Sequence, residues 1–268
     1  MPAGPPIPFT KLVKVLLVVA ALVLVFRIAT EDSRETTSAA SSNDPRVTAS
    51  ASVPASPRVR PSSEPDPLPK CGQGDERARL AGFGDWASTL IDTRYDLKPS
   101  YAPPDLVSVE EAGFEAFFQV RSVVIHDLTA LREAAEDAAS PVGIAAAYRS
   151  YYTQDSLFRR RIQTEGHTMA RVKTARAGHS EHQLGTTIDF KTAGALDVDS
   201  SWEATPAGKW MAANAWKYGF VMSYPAGRTR QTCYWYEPWH YRYFGTERAK
   251  KIHDSGLTVR EYLWKEQH

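Results

Sequence analysis

The amino-acid sequence predicts an α+β domain, in which helices pack on a small and mostly antiparallel sheet. Three observations indicate this fold class. In the longer segments, apolar residues recur at three- and four-residue steps, as on one face of a helix. Between them lie short β-branched or aromatic segments that have the length of strands. The two kinds of segment follow one another in mixed order, which is typical of α+β proteins.

The first three predicted elements lie between residues 110 and 165. Glu110–Ala139 is predicted as a helix because its apolar residues recur at helical steps; these are Phe114, Phe117, Phe118, Val124, Leu128 and Leu131. Val142–Tyr148 is short and apolar, which predicts a strand. Tyr151–Glu165 again has helical character, with Ser150 or Thr153 as its N-cap.

Four more elements follow toward the C-terminus. The β-branched, alternating segment Gly185–Phe190 predicts a strand. A helix is predicted to open at Thr205-Pro206 and to run through Lys217, with Gly219 closing it, which matches the preferences at helix ends. The remaining predicted strands are Phe220–Tyr224 and Tyr234–Phe244.

The composition excludes several classes of protein. The chain has 268 residues, and 32 Lys and Arg against 31 Asp and Glu give a net charge of +1, so nucleic acid is not expected as a partner. Its 2 cysteines are too few for a disulfide-dense mini-protein, and the sequence has no C-x-x-C motif. No obligate protein partner is evident. We expect one domain that carries appendages.

The first of these appendages is an apolar segment within residues 1–29. The uncharged run Val15–Phe26 would rise about 18 Å as a helix, against about 30 Å for the core of a bilayer. Extension to Leu12–Ala29 reaches about 27 Å if the flanking cations snorkel. The run fits a signal peptide or an uncleaved signal-anchor, and the lack of an A-x-A cleavage site favours the anchor. Either interpretation places the rest of the chain outside the cytoplasm, at the cell envelope, anchored to the membrane or secreted.

The second appendage is a linker over residues 30–70. This segment is rich in Ser, Thr, Ala and Pro, and no helical or alternating apolar period runs through it. Such a composition predicts a disordered tether. The folded domain is therefore expected over residues 71–268.

Two polar motifs in otherwise apolar strands are candidates for chemistry. One is Ser180-Glu181-His182-Gln183-Leu184-Gly185-Thr186-Thr187-Ile188-Asp189, and the other is Glu237-Pro238-Trp239-His240. A carboxylate buried in a strand needs a cation or strong donors as compensation. Two histidines and an aspartate that converge would form a zinc site with three protein ligands, leaving the fourth position to water. Alternatively, His182 and Asp189 belong to a capped turn with a surface carboxylate, and His240 is a hydrogen-bonded core histidine.

Glu237 distinguishes a hydrolytic zinc site from a structural one. A structural site is closed and has no use for a further carboxylate. A hydrolytic site needs a base that takes a proton from water and returns it to the leaving amine. The position of Glu237, three residues before His240, suits that role.

Three motifs together resemble the zinc D,D-/L,D-carboxypeptidases of the VanY type, within the D-Ala-D-Ala metallopeptidase group. They are S-x-H-x-x-G-x-x-x-D, E-x-W-H and the stretch YRSYYTQ from Tyr148 to Gln154. The resemblance implies one zinc ion per chain, with His182, Asp189 and His240 as ligands and Glu237 as the catalytic base. It also implies that Arg149 faces the substrate and that Ser180 and Gln154 are donors in the substrate pocket.

The sequence departs from the family pattern at three positions. Thr187 stands where Ala is usual, Ala177 where Pro is usual and Cys233 where Gly is usual. None of these changes removes an implied ligand or the implied base. Arg242 is expected to be structural and to orient Glu237 or a neighbour.

The two cysteines lie at opposite ends of the predicted domain. In an exported chain, Cys71 and Cys233 most simply form one disulfide. The alternative is a pair of buried free thiols.

The resemblance implies a zinc-dependent D-alanyl-D-alanine carboxypeptidase that removes the terminal D-Ala from peptidoglycan stem peptides. An L,D-carboxypeptidase acting on tetrapeptides and a peptidoglycan endopeptidase remain alternatives, because no readable code marks the walls of the pocket. A non-catalytic zinc domain that binds a partner or the cell wall is a further alternative, although a scaffold would need neither Glu237 nor Arg149. The membrane is an expected partner through the N-terminal apolar segment.

Overall fold

The computed structural model of the chain describes residues 66–268. The predicted apolar segment over residues 1–29 and most of the predicted linker lie outside the described residues. Among the helices of residues 66–268, none combines the length and the apolar character that a membrane crossing requires.

The described residues form eight strands and six α-helices, joined by short 3-10 helices. The strands are β1 Glu76–Arg77, β2 Tyr95–Asp96, β3 Leu106–Ser108, β4 Gln119–Arg121, β5 Val142–Ala146, β6 Thr187–Thr192, β7 Phe220–Met222 and β8 His240–Tyr243. The helices are α1 Ile125–Asp137, α2 Tyr151–Lys173, α3 Pro206–Asn214, α4 Thr229–Thr232, α5 Thr246–Ser255 and α6 Val259–Gln267. The 3-10 helices are Phe83–Asp85, Val109–Ala112, Ser122–Val124, Glu181–Leu184, Ser200–Ala204 and Ala215–Tyr218.

The main sheet has four strands in the order β5-β6-β8-β7, and every neighbouring pair is antiparallel. Strands β3 and β4 form a second antiparallel pair, whereas β1 and β2 pair in parallel. The predicted class, helices with small and mostly antiparallel sheets, is confirmed in these residues.

The sheet forms one side of the larger hydrophobic core. Buried apolar residues of β5 and β6 pack with those of α1 and α3; among them are Ile144, Ile188, Phe190, Leu128, Leu131 and Met211. A second cluster joins α5 and α6 to the end of β8; it includes Leu90, Phe244, Ile252 and Leu263. Burial of these side chains holds the helices on the sheet, since each large apolar side chain contributes about 1.5–3 kcal/mol.

The prediction of one helix over Glu110–Ala139 is wrong in its first half. The chain forms the 3-10 helix Val109–Ala112, which ends at Gly113 with a left-handed φ of 82°. It then pairs as β4 with β3 and becomes α-helical only at Ile125. Phe114 is buried whereas Phe117 is fully exposed, so their helical spacing does not mark one apolar face.

The predicted helix Tyr151–Glu165 is confirmed and extends further than expected. Helix α2 runs to Lys173 but is interrupted at Gly166, which has a left-handed φ of 79°. A straight helix would separate Gln154 from Ala175 by about 30 Å. The Gln154 side chain nevertheless donates to the carbonyl of Ala175 at 2.7 Å. The chain therefore folds back at Gly166, and the segment after it packs against the first half of the helix.

The strand predictions need corrections at their ends. Gly185 lies outside β6, because its left-handed φ of 75° closes the 3-10 helix Glu181–Leu184. In the predicted strand Tyr234–Phe244, only His240–Tyr243 pairs as β8. Proline at position 238 has no N–H for a ladder, and the first half of the segment is a loop.

The helix after Thr205 is confirmed with a small change. Thr205 caps it with its side chain, and Pro206 occupies the first turn. After Asn214 the chain tightens into the 3-10 helix Ala215–Tyr218, and Gly219 closes that turn as predicted.

The disulfide prediction is confirmed. Cys71 and Cys233 are bridged across 162 residues, with their Cα atoms 5.2 Å apart. The bridge ties the start of the described chain to the loop that carries Glu237.

Replacement of both cysteines by serine should lower the free energy of unfolding. Loss of the cross-link gives the unfolded chain more conformational freedom, with a maximum effect of about 5 kcal/mol for so long a loop. Urea unfolding of the wild type and of the C71S/C233S variant, without reductant, measures the difference. Reductant should bring the wild type to the value of the variant. Equal stabilities without reductant would contradict a stabilising role for the bridge.

Candidate active site

Three side chains from different elements meet in the interior. His182 comes from the 3-10 helix Glu181–Leu184, Asp189 from β6 and His240 from the first position of β8. Asp189 and His240 face one another because they are register partners in the antiparallel pair. All three residues are buried, and one possible ligand atom from each lies within 4.8 Å of the others.

The imidazole of His182 is oriented by the backbone. Its Nδ1 donates to the carbonyl of Ala147 at 2.7 Å, which leaves Nε2 directed at Asp189 Oδ2, 3.2 Å away. Burial and the nearby guanidinium of Arg149 lower the pKa of His182 to about 4. The ring is therefore neutral at pH 7, which is the form that binds a metal ion.

The imidazole of His240 is held between two carboxylates. Its Nδ1 lies 3.1 Å from Asp189 Oδ1, and its Nε2 lies 3.0 Å from Glu181 Oε2. Burial acts against protonation, yet the contacts with Asp189 and Glu181 outweigh it and raise the pKa of His240 to about 10. Because Nε2 is held by Glu181, the ring directs Nδ1 to the centre of the group, where a metal ion would replace the proton on Nδ1.

A buried ion pair supports this histidine. Arg242 donates to Glu181 Oε1 at 2.9 Å and also to the carbonyls of Trp86 and Thr89, at 2.6 and 2.8 Å. Burial alone would raise the pKa of Glu181, but Arg242 and His240 lower it to about 2. Glu181 is therefore a fixed carboxylate that orients His240.

The three residues fit a divalent metal ion. Within residues 66–268, the buried atoms His182 Nε2 and Asp189 Oδ1 make no hydrogen bond, which is costly for buried polar atoms. Both point into the space between the three side chains, and an ion there would satisfy them. Two imidazole nitrogens and one carboxylate oxygen form a ligand set that suits zinc with a fourth position open.

Glu237 lies beside this group. Its Oε2 is 3.4 Å from His240 Nδ1, and its backbone N–H donates to the carbonyl of Tyr224 at 3.1 Å. Burial raises the pKa of Glu237 to about 7. A carboxyl group with a pKa near neutrality can accept and release a proton under working conditions.

Arg149 occupies the predicted position between a strand and a helix, after β5 and before α2. One terminal nitrogen lies 3.4 Å from Asp189 Oδ2, and the other donates to Gln154 Oε1 at 3.0 Å. The guanidinium is therefore fixed at the rim of the three-residue group. It can pair with a carboxylate or stabilise a developing oxyanion.

A cleft of about 360 Å³ connects these residues. Its walls contain every site residue that the sequence singled out; these are Arg149, Gln154, Ser180, His182, Asp189, Glu237 and His240. Ser180 precedes the 3-10 helix that carries His182. The volume lies within the range of small-molecule sites.

The sequence did not predict the role of Glu181, and it did not specify the partner of Arg242. Glu181 stands inside the first motif, but nothing in the sequence shows that its side chain reaches His240. Arg242 was expected to be structural and to orient Glu237 or a neighbour; it is buried, and the carboxylate that it contacts is that of Glu181. One feature of the sequence could have indicated Glu181. It directly precedes the candidate ligand His182, and metal-bound histidines commonly donate to a carboxylate.

The buried His-Asp-His group, with a glutamate and an arginine in the same cleft, brings together the ligands, the base and the cation that a zinc-dependent peptidase needs. A family model described as VanY, D-alanyl-D-alanine carboxypeptidase, matches residues 118–246. The solved LdcB LD-carboxypeptidase is 32% identical with a TM-score of 0.59, and the match covers 66% of this chain and 85% of LdcB. The chain belongs to the VanY family of D-alanyl-D-alanine carboxypeptidases.

Two further relatives bear on the activity and the metal. The chain is 35% identical to the putative carboxypeptidase YodJ of Bacillus subtilis over 181 residues, which span 66% of this chain and 66% of YodJ. A vancomycin-resistance D,D-pentapeptidase VanY, solved in complex with Zn(II), is 26% identical with a TM-score of 0.57; the match covers 66% of this chain and 99% of that one. Together with the family membership, these relatives confirm the predicted zinc-dependent carboxypeptidase class and the zinc cofactor.

Replacement of Glu181 by glutamine should weaken zinc binding about 10–100-fold, because the neutral amide holds His240 less firmly and leaves Arg242 without a counter-charge. Competition with a chromogenic chelator measures the affinity, at a temperature where circular dichroism shows the variant folded. Glu247→Gln, at an exposed site in α5, is the matched control and should bind zinc as the wild type does. An unchanged affinity in Glu181→Gln would show that this carboxylate does not support the metal group.

Proposed function

We propose that the chain removes the terminal D-alanine from peptidoglycan stem peptides, with one zinc ion held by His182 of the 3-10 helix Glu181–Leu184 and by Asp189 and His240 of the two inner strands of the main sheet. The observation that carries this proposal is the buried His-Asp-His group with Glu237 beside it. A closed structural site would have no use for that extra carboxylate. Family membership supplies the substrate class.

Glu237 is the proposed general base. Zinc, when bound, supplies Lewis-acid polarisation of the scissile carbonyl and acidifies a water molecule. Glu237 accepts the proton of that water and delivers it to the nitrogen of the departing D-alanine. Its raised pKa, near 7, suits both steps.

Arg149 is the proposed anchor for the substrate. Its guanidinium, fixed by Asp189 and Gln154, pairs with the terminal carboxylate or with the oxyanion that develops on the carbonyl. Gln154 and Ser180, in the same cleft, are proposed as further donors to the terminal carboxylate.

We place this activity outside the cytoplasm, at the cell envelope. The Cys71–Cys233 bridge supports that location, because disulfides persist in oxidising compartments. The apolar run near the N-terminus supports export, by a signal peptide or as a membrane anchor.

Replacement of Glu237 by glutamine should lower kcat by at least about 100-fold, because the side chain keeps its size but accepts no proton. D-alanine release from a pentapeptide measures kcat, and elemental analysis measures zinc per chain. Zinc content should stay at the wild-type level, as it should in the control Glu247→Gln. Loss of zinc together with activity would contradict the proposed division of roles.

An L,D-carboxypeptidase is the second candidate, favoured by the similarity to LdcB. Incubation of the protein with tetrapeptide, pentapeptide and cross-linked muropeptides separates the possibilities. We expect D-alanine to be released fastest from the pentapeptide. Faster release from the tetrapeptide would assign the L,D activity, and cleavage of the cross-link alone would assign an endopeptidase. A zinc-loaded protein that is inert toward all three would overturn the proposal.

A further inference from the structure

The cleft does not end at the residues proposed to hold the terminal carboxylate. One of its walls is the first half of α2, which contributes Gln154, Leu157 and Arg161. These positions follow one another at three- and four-residue steps and so lie on one helix face. Along the helix axis, Arg161 lies about 10 Å beyond Gln154.

The contacts give the order of groups along the cleft. Arg149 lies between the metal group and Gln154, since its two terminal nitrogens contact Asp189 and Gln154, respectively. Helix α2 starts next to this arginine, and each further turn leads away from it. If the terminal carboxylate sits at Arg149 and Gln154, the wall at Leu157 and Arg161 lies on the side of the departing residue. The acyl part of the peptide must leave the metal group in another direction.

The far end of this wall is cationic. Arg161 and Lys173 both line the cleft, and both pair with Glu165, at 2.5 and 2.7 Å. Two cations share one carboxylate, so the cluster keeps a net charge of +1. Lys173 reaches this position because the chain folds back at Gly166, and its ammonium also lies over the ring of Trp235. Both cations are only partly exposed, at 40% and 34% of the side-chain surface.

Along this wall the surface changes from polar at Gln154 to apolar at Leu157 and then to cationic at Arg161. An alanine methyl group is too short to use the last two. A longer side chain would lay its methylene groups on Leu157 and bring a terminal carboxylate beside the two cations, where N–H groups not bonded to Glu165 would donate charge-assisted hydrogen bonds to it.

We propose that the cleft contains a second anion subsite, formed by Arg161 and Lys173, which selects departing D-residues whose side chain ends in a carboxylate. This inference rests on the proposed function, and the reaction is the same hydrolysis. The amide C–N bond breaks, water adds its hydroxyl group to the acyl carbon and the amine takes up the proton. What differs is that the leaving amino acid carries two carboxylates instead of one.

Matched peptides test the subsite. All have the form acetyl-L-Lys-D-Ala-X, where X is D-aspartate, D-glutamate or D-2-aminoadipate, with one, two or three methylene groups before the carboxylate. D-Norleucine is the neutral partner of D-aminoadipate, with an apolar side chain of similar length. For the full chain at low ionic strength, we expect kcat/KM for D-aminoadipate to exceed that for D-norleucine about fivefold, mostly through KM. The preference should grow with side-chain length and fall in high salt.

Variants connect the preference to the two cations. In Arg161→Gln/Lys173→Gln, the ratio of kcat/KM between the acidic and neutral peptides should fall to about one. In Glu165→Gln, which removes the competing carboxylate, the ratio should rise. The control is Arg159→Gln on the same helix, because Arg159 pairs with Asp155 and is 73% exposed, outside the cleft wall. Its ratio should match the wild type.

The outcomes separate this inference from the proposed function. If the wild type cleaves D-Ala-D-Ala and D-norleucine peptides but shows no preference for acidic leaving residues, the subsite is wrong and the carboxypeptidase proposal stands. If no D-Ala-D-Ala peptide is cleaved, the proposed function fails first. A preference for acid on the acyl side, measured with acetyl-L-Glu-D-Ala-D-Ala against acetyl-L-Lys-D-Ala-D-Ala, would overturn the assigned direction of the cleft.

Discussion

The site depends on a buried chain of charged groups that runs from Arg242 through Glu181 and His240 to Asp189. Each contact in this chain is between 2.9 and 3.1 Å. Removal of one member would leave its neighbour as an unpaired buried charge, which costs several kcal/mol. These charged groups connect β8 with the 3-10 helix Glu181–Leu184 and with β6. Correct strand pairing and correct geometry of the metal group therefore require one another.

The functional groups outside this chain stand at irregular points of the backbone, and each point has its own support. The end of β5 carries a register irregularity before Arg149, as is common beside active sites. The loop that carries Glu237 begins at Cys233, whose left-handed φ of 69° is unfavourable for a residue with a side chain. The disulfide and the burial of Tyr234 hold that loop in place. A covalent anchor thus holds a residue in a backbone conformation that glycine adopts more readily.

The amino-acid sequence was sufficient to predict the candidate ligands of the site. It was insufficient to predict the residues that hold those ligands in place. His182, Asp189 and His240 were predictable as one group because their motifs resemble those of the VanY family; the residues alone also allowed a capped turn and a core histidine. The roles of Glu181 and Arg242 were not predictable, because the direction of a side chain on a 3-10 helix or an antiparallel strand follows from the folded register. The same limit explains the wrong helix at Glu110–Ala139. Its apolar spacing matched a helix, while pairing of β4 with β3 and the turn at Gly113 determined the structure.

The break at Gly166 links the two ends of the cleft. It returns Ala175 to Gln154 and Lys173 to Glu165, so one reversal of the chain fixes a donor near the metal group and a cation about two turns away. Glu165 then has a structural reason to lie between Arg161 and Lys173, since two cations at that distance repel one another without it. If Lys173 served only solubility, the chain would not need to fold back at Gly166 to bring it to Glu165. Helix α2 therefore has two roles: it holds Gln154 against Arg149, and it carries the wall along which the side chain of the departing residue would extend.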